Sequence, residues 1–210
     1  ITGRAFALTK SYRNSRQIMD AAHHLVSQFT FPELYSDVKD KPLQPDYPAR
    51  ERGRPLLVKF PRESDEANWI GSEVRRLISE STFAPGEILL LSGTHRMRDA
   101  IRQELQTADI AVCDLREDVE IDSTRVKIST IESAKGHETP CVFVAGVVEG
   151  AIPWLLVDDE GVRINASHLY VAMTRARDKL VLTWSTKSLA GQQALPSRLL
   201  RYVQPYCDEY

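Results

Sequence analysis

Glu87-Ile-Leu-Leu-Leu91 runs without a break in its apolar residues and passes through Ser92-Gly93-Thr94 into a helical pattern from Arg96 to about Ala108. Strict alternation of apolar and polar residues would mark a strand with one wet face. A continuous apolar run followed by a helix instead marks a strand buried on both faces. The same unit recurs upstream, where Leu56-Leu-Val-Lys-Phe60 precedes a helix over about Asp65–Glu80 with Trp69, Ile70, Val74, Leu77 and Ile78 as its buried stripe. Downstream, strands are expected at Ile110–Cys113, Arg125–Thr130, Cys141–Val144 and Lys179–Thr183, with a helix over about Ala166–Ala176. Ahead of all these, Asn14 or Ser15 caps an amphipathic helix reaching about Gln28, with Ile18, Ala21, Ala22, Leu25 and Val26 at helical spacing. The fold class is therefore α/β, a mainly parallel sheet with helices on both faces. Residues 1–210 are read as one domain. Within it, 31–55 is an irregular loop segment carrying five prolines, and 195–210 holds a last helix over Leu195–Val203 and a tail.

The composition, 42% hydrophobic and 27% charged residues in a chain of 210, is that of an ordinary water-soluble globular protein large enough to bury a substantial core. A formal charge of −2 excludes a globally basic nucleic-acid binder, so any such contact is local. Cys113, Cys141 and Cys207 are odd in number and show no C-x-x-C pattern, which argues against a disulfide framework and fits a reducing, cytoplasmic setting. No signal peptide or membrane span is visible. The chain opens on Ile1 without an initiator Met, and we expect it to be a fragment of a longer polypeptide.

Three separated blocks carry the chemistry. In Leu8-Thr-Lys-Ser-Tyr-Arg-Asn-Ser15, Tyr12 and Arg13 stand at the mouth of a helix, where an aromatic face can stack on a base and a planar guanidinium can meet phosphate oxygens. In the second block the strand Val126–Thr130 enters the polar turn Glu132-Ser-Ala-Lys-Gly136, at the carboxyl end where loops of parallel sheets bind ligands. Gly136 would permit close backbone approach there. In the third, Leu169-Tyr-Val-Ala-Met173 anchors Thr174-Arg-Ala-Arg177 before the next strand, so that one arginine can be aimed with little freedom at charge on a transferring phosphoryl group.

Read together, these blocks resemble the C-terminal motor motifs of UvrD/Rep-type superfamily 1 DNA helicases. Ile128-Ser-Thr-Ile-Glu-Ser-Ala-Lys-Gly-His-Glu138 and Val142-Phe-Val-Ala-Gly-Val-Val-Glu-Gly-Ala-Ile-Pro153 are similar to the family's T-I-H-x-A-K-G-L-E-F and V-F-x-x-G-x-x-E-G-x-x-P blocks. The resemblance implies a second RecA-like domain of the P-loop NTPase class. It lacks its own P-loop, since no G-x-x-x-x-G-K-[ST] occurs in the chain. It also implies that Tyr12 packs on adenine, that Arg13 and Arg175 reach the γ-phosphate, Arg175 as an arginine finger, that Glu138 meets the ribose beside Gly136, and that Thr130 and Ser133 lie along single-stranded DNA. ATP would be bound with Mg2+ held by a first RecA-like domain of the same polypeptide. The complete protein would be an ATP-dependent helicase, and this chain alone inactive. Its partners would be single-stranded DNA, that first domain, and repair or transcription proteins, with no membrane.

The sequence departs from the pattern at three places: the family's His is Glu132, its Leu is His137 and its Phe is Thr139. A carboxylate beside a phosphodiester repels it, so the histidine's role does not carry over to Glu132. These departures motivate a second reading, a degenerate motor domain serving as a protein-interaction module. The large accessory domain that relatives insert has no room between Cys113 and Arg125, where only Arg116-Glu-Asp-Val-Glu-Ile-Asp122 intervenes as a solvated turn. His23 and His24 are adjacent and His95 and His168 stand alone, so no metal site is expected. Trp154 is read as packed, and Lys127, Arg96 and Arg98 as solvated cations.

Overall fold

The computed structural model describes residues 14–29, 51–115, 124–133, 136–153 and 158–210. Seven strands form one sheet: β1 Leu56–Phe60, β2 Ile88–Ser92, β3 Val112–Asp114, β4 Val126–Thr130, β5 Thr139–Ala145, β6 Ala176–Ser185 and β7 Asp208–Glu209. Their order is β3-β4-β2-β5-β6-β1-β7, and every pairing is parallel. Five helices accompany them: α1 Arg16–Ser27, α2 Glu63–Ser79, α3 His95–Thr107, α4 Asp159–Met173 and the short α5 Leu200–Val203.

The apolar strand runs split by parity onto the two faces, as the two-residue period of a strand requires. Leu89 and Leu91 of β2, Val142 and Val144 of β5, and Leu180 and Leu182 of β6 pack beneath α1, α4 and α5. Ile88 and Leu90, Phe143 and Val181 face α2 and α3. This accounts for the unbroken run at 88–91, since both of its faces are core. A parallel sheet has two chemically distinct edges, and here the amino ends of all strands lie along one and the carboxyl ends along the other.

Several expected boundaries move, each for a visible reason. Helix α4 begins at Asp159, seven residues ahead of the expected start, because the Asp158 carboxylate caps it by accepting from the Gly161 N–H at 2.8 Å. It ends at Met173, since Ala176 already pairs with Thr139 across β5 and β6. Arg175 therefore sits in the turn after the helix and not inside it. The last helix is confined to Leu200–Val203; Pro196 bridges Val148, and Ser197 donates its N–H to the Val147 carbonyl at 3.0 Å, so this stretch spends its backbone on a neighbouring loop. The parallel strand β7 was not expected. Arg98 is buried against Asp114 and Asp99, and Lys127 donates to the Gly86 carbonyl, so neither is a solvated cation. The prolines before Pro55, the acidic segment 116–122 and Trp154 lie outside the described residues.

Candidate functional site

The turn Thr174-Arg175 is built by the end of α4 and the start of β6, with almost no chain between them. Thr174 Oγ1 donates to the carbonyls of Tyr170 and Val171, closing the last helical turn. Arg175 is half-buried; its Nε donates to the Val171 carbonyl at 3.2 Å, and among the described residues no carboxylate pairs with its guanidinium.

Both other blocks are stitched to this turn. Asn14 is buried, and its Nδ2 donates to the carbonyls of Thr174 at 2.6 Å and Ala176 at 2.7 Å, while the Ser15 N–H donates to the Arg177 carbonyl at 2.9 Å. The Thr139 N–H donates to the Arg175 carbonyl at 3.0 Å, which brings Glu138 and His137 beside the arginine. Tyr12 and Arg13 lie outside the described residues, directly ahead of Asn14. His137 titrates below the usual histidine range, first because it is partly buried and then because Lys127 and Arg175 set positive charge nearby. The φ of Gly136 is +90°, a conformation that favours glycine, and an added Cβ would meet open space. Gly136, Glu138 and Arg175 thus share the amino edge of the sheet.

Thr130 and Ser133 lie at the opposite edge, where β4 ends in a 3₁₀ turn over Ile131–Ser133 and their hydroxyls stand 3.3 Å apart. Glu138 directly precedes β5 and Thr130 ends β4, so the two lie at opposite ends of the parallel strands, of which β5 spans about 20 Å. The second block therefore serves two edges, a division invisible in its linear order.

A cavity of about 90 Å³ opens beside Thr130, lined also by Ser92, His95, Glu132, Ile152 and His168. His95 and His168, read as isolated, come together here. Glu132 is exposed at the same cavity. Gly93 in its wall has no room for a side chain, since a Cβ would stand 2.9 Å from Ile152 Cγ1 and 3.1 Å from the Ala151 Cβ. A second concavity of about 360 Å³ adjoins it, with Glu63, Arg96, Glu149, Gln192 and Gln193 in its lining. The loop 146–153 walls both and is locked from outside, where Glu149 accepts from the backbone N–H and guanidinium of Arg198. The clue to His95 and Arg96 was present in the sequence, since Ser92-Gly-Thr94 follows the carboxyl end of a strand, where such sheets bind ligands. His168 gave no such clue, because it lies well inside α4, far in sequence from the carboxyl end of any strand.

No group of three or more His, Cys, Asp or Glu side chains stands placed to hold a metal among the described residues, and no described helix is long and apolar enough to cross a membrane. Cys113, Cys141 and Cys207 are buried, and none is joined in a disulfide.

Comparison with known proteins agrees with the motifs. A family model for the UvrD-like helicase C-terminal domain matches residues 112–187. DNA helicase II of Escherichia coli (strain K12) is 39% identical over 89 residues, 40% of this chain and 12% of the relative. ATP-dependent DNA helicase Rep of Buchnera aphidicola subsp. Schizaphis graminum is 29% identical over 138 residues, 64% of this chain and 19% of the relative. The chain thus spans a minor part of either relative. The crystal structure of the C-terminal domain of a possible DNA helicase from Lactobacillus plantarum WCFS1 superposes with a TM-score of 0.63 at 17% identity, over 95% of this chain and 98% of that one, a likeness of fold. In motif order, in the family model over residues 112–187 and in its RecA-like parallel fold, this chain is similar to the C-terminal domain of UvrD-like DNA helicases.

Proposed function

We propose that residues 1–210 form the second RecA-like domain of an ATP-dependent DNA translocase or helicase, which closes over ATP held by a first domain and grips single-stranded DNA at its opposite edge. The observation that carries this reading is the joining of all three blocks at one turn: Asn14 binds both sides of Arg175, and Thr139 binds Arg175 itself. An arginine fixed by its backbone, half-buried and without a carboxylate partner among the described residues suits a γ-phosphate better than it suits a structural ion pair.

In this reading Arg175 and Arg13 meet the γ-phosphate, Tyr12 covers the adenine, and Glu138 beside Gly136 approaches the ribose. His137, kept neutral by its surroundings, adds no charge of its own. Mg2+ would be held by acids of the first domain, which also supplies the phosphate loop. Loss of the γ-phosphate removes what the two arginines hold, so the cleft between domains opens. Thr130 and Ser133, with the Ser92–His95 turn, take the phosphodiester backbone at the other edge, and alternating grip turns opening into steps.

The test is ATP turnover by the complete polypeptide, with and without single-stranded DNA, beside its Arg175→Ala form. Removal of an arginine finger is expected to cost about 10³–10⁵ in DNA-stimulated turnover while thermal unfolding stays unchanged. Near-normal turnover in the variant rejects the assignment. The exposed carboxylate of Glu132 at the carboxyl-edge cavity favours the second reading, an interaction module, and absence of turnover in both forms would select it.

A further inference from the structure

Glu66 has no part in the proposed contacts to ATP or DNA. It stands in the first turn of α2 and is fully buried. Its Oε1 accepts from the Gly146 N–H at 2.8 Å and from the Thr183 hydroxyl at 2.5 Å, whereas the buried Oε2 has no hydrogen-bond partner. Gly146 follows β5 directly and opens the loop 146–153 that walls both carboxyl-edge cavities, so Glu66 holds this loop at its root. Glu63, three residues earlier, does the same for two other segments, accepting from the Leu189 N–H at 2.6 Å and from Arg96 at 2.9 Å. Two carboxyl groups of one helix turn thus gather the start of α3, the loop after β5 and the segment after β6 beneath one face.

Opposing forces act on Glu66. Burial with one bare oxygen penalises the anion, and two donors on Oε1 favour it. The charge facing it is Glu63 on its own helix, which Arg96 from α3 offsets; β5 and β6 present only the Gly146 N–H and the hydroxyls of Thr183 and Ser185. Ser185 also favours the anion, although Oε2 receives no hydrogen bond. Burial is the largest influence, and the carboxyl is pushed up to about 7.

We infer that Glu66 is a positioning residue whose carboxyl takes up a proton, at the open Oε2, when a polyanion settles on the carboxyl-edge face. This rests on the reading that the face receives nucleic acid. Phosphates above the loop bring like charge toward a carboxylate that already lacks solvent, and like charge favours the protonated form. By reciprocity the protonated form binds the polyanion more tightly. Affinity therefore falls as pH rises through neutrality.

His95 and His168 line the same face, so the diagnostic is the difference made by Glu66 alone. The experiment measures fluorescence anisotropy of a labelled single-stranded oligodeoxynucleotide against the complete polypeptide at fixed ionic strength from pH 6 to pH 8. Parallel titrations use the wild type, Glu66→Gln and Thr183→Val, each checked for its thermal transition. Glu66→Gln keeps an acceptor for Gly146 and mimics the neutral form. It is expected to bind about threefold to tenfold more tightly than wild type at pH 8 and equally at pH 6, with a shallower pH slope than wild type. Thr183→Val removes a donor that favours the anion, so the wild-type midpoint should move to higher pH. Binding that is weakened by Thr130→Val but keeps one pH slope in wild type and Glu66→Gln overturns this inference alone. Absence of binding at every pH, or binding indifferent to Thr130→Val, overturns the underlying reading and the inference with it.

Discussion

Glu66 also governs stability, and the sign follows from where its proton is held more tightly. The carboxyl is near 7 in the folded chain against an ordinary value of 4.5. Its contribution is therefore fully present below about pH 4.5 and is lost as pH rises through about 7, a decline worth about 3 kcal/mol at most. Glu66→Gln should remove this slope, so urea unfolding at pH 5 and pH 8 should show wild type losing ground to the variant at the higher pH. Equal losses in both would assign the raised affinity for protons to another group. Glu132 acts through charge alone, since it is exposed at the mouth of the smaller cavity. Glu132→Gln should strengthen single-stranded DNA binding by about 0.2–1 kcal/mol, and less at high salt. Unchanged affinity at low salt would place the DNA elsewhere.

At the scale of elements, α4 is the connecting piece. Asn165 and His168 line the carboxyl-edge cavity, and ten residues beyond Asn165 the helix has ended and Arg175 stands at the amino edge, about 15 Å along the axis. The turn that follows is so short that its carbonyls depend on a distant partner, Asn14, which supplies both of its amide hydrogens. Asn14→Ala should cost about 1–3 kcal/mol in unfolding free energy, because it leaves the Thr174 and Ala176 carbonyls without that donor inside the fold. Asn14→Asp should be no better, as it replaces the donor by a second acceptor. A variant as stable as wild type would mean that these carbonyls find water instead. The presence and type of the helices and of β1 through β6 were legible from periodicity alone, and β1 matches residue for residue. What periodicity missed was decided by capping and pairing: Asp158 started α4 early, and Pro196 with its partner loop shortened the last helix.

Across the whole molecule, the sheet sets the turn at Arg175 and the turn after β4 at opposite edges, apart by the length of its strands. Variants at its opposite edges should then act on different observables. On the proposed assignment, Thr130→Val with Ser133→Ala is expected to weaken single-stranded DNA binding by about 1–3 kcal/mol with the affinity for ATP unchanged, by removing the two hydroxyls that would meet phosphate. Arg175→Ala should leave DNA affinity intact in the absence of nucleotide. Equilibrium titrations of the complete polypeptide with each ligand check both, and a variant that weakened both ligands equally would show that the edges are not independent.

The sequence by itself determined the class of the sheet, because strands apolar at every position can only be covered on both faces, and it determined the motif residues, because their types and order carry the resemblance. Tertiary structure alone decided which of those residues share an edge. Thr130 and Glu138 are eight positions apart in sequence yet stand at opposite ends of the parallel strands, whereas Asn14 and Thr174 are 160 positions apart and hydrogen-bonded. His95, just past β2, and His168, inside α4, meet for the same reason: a β4–β2–β5 order and the packing of α4 over it follow from pairing across the sheet and from no local pattern.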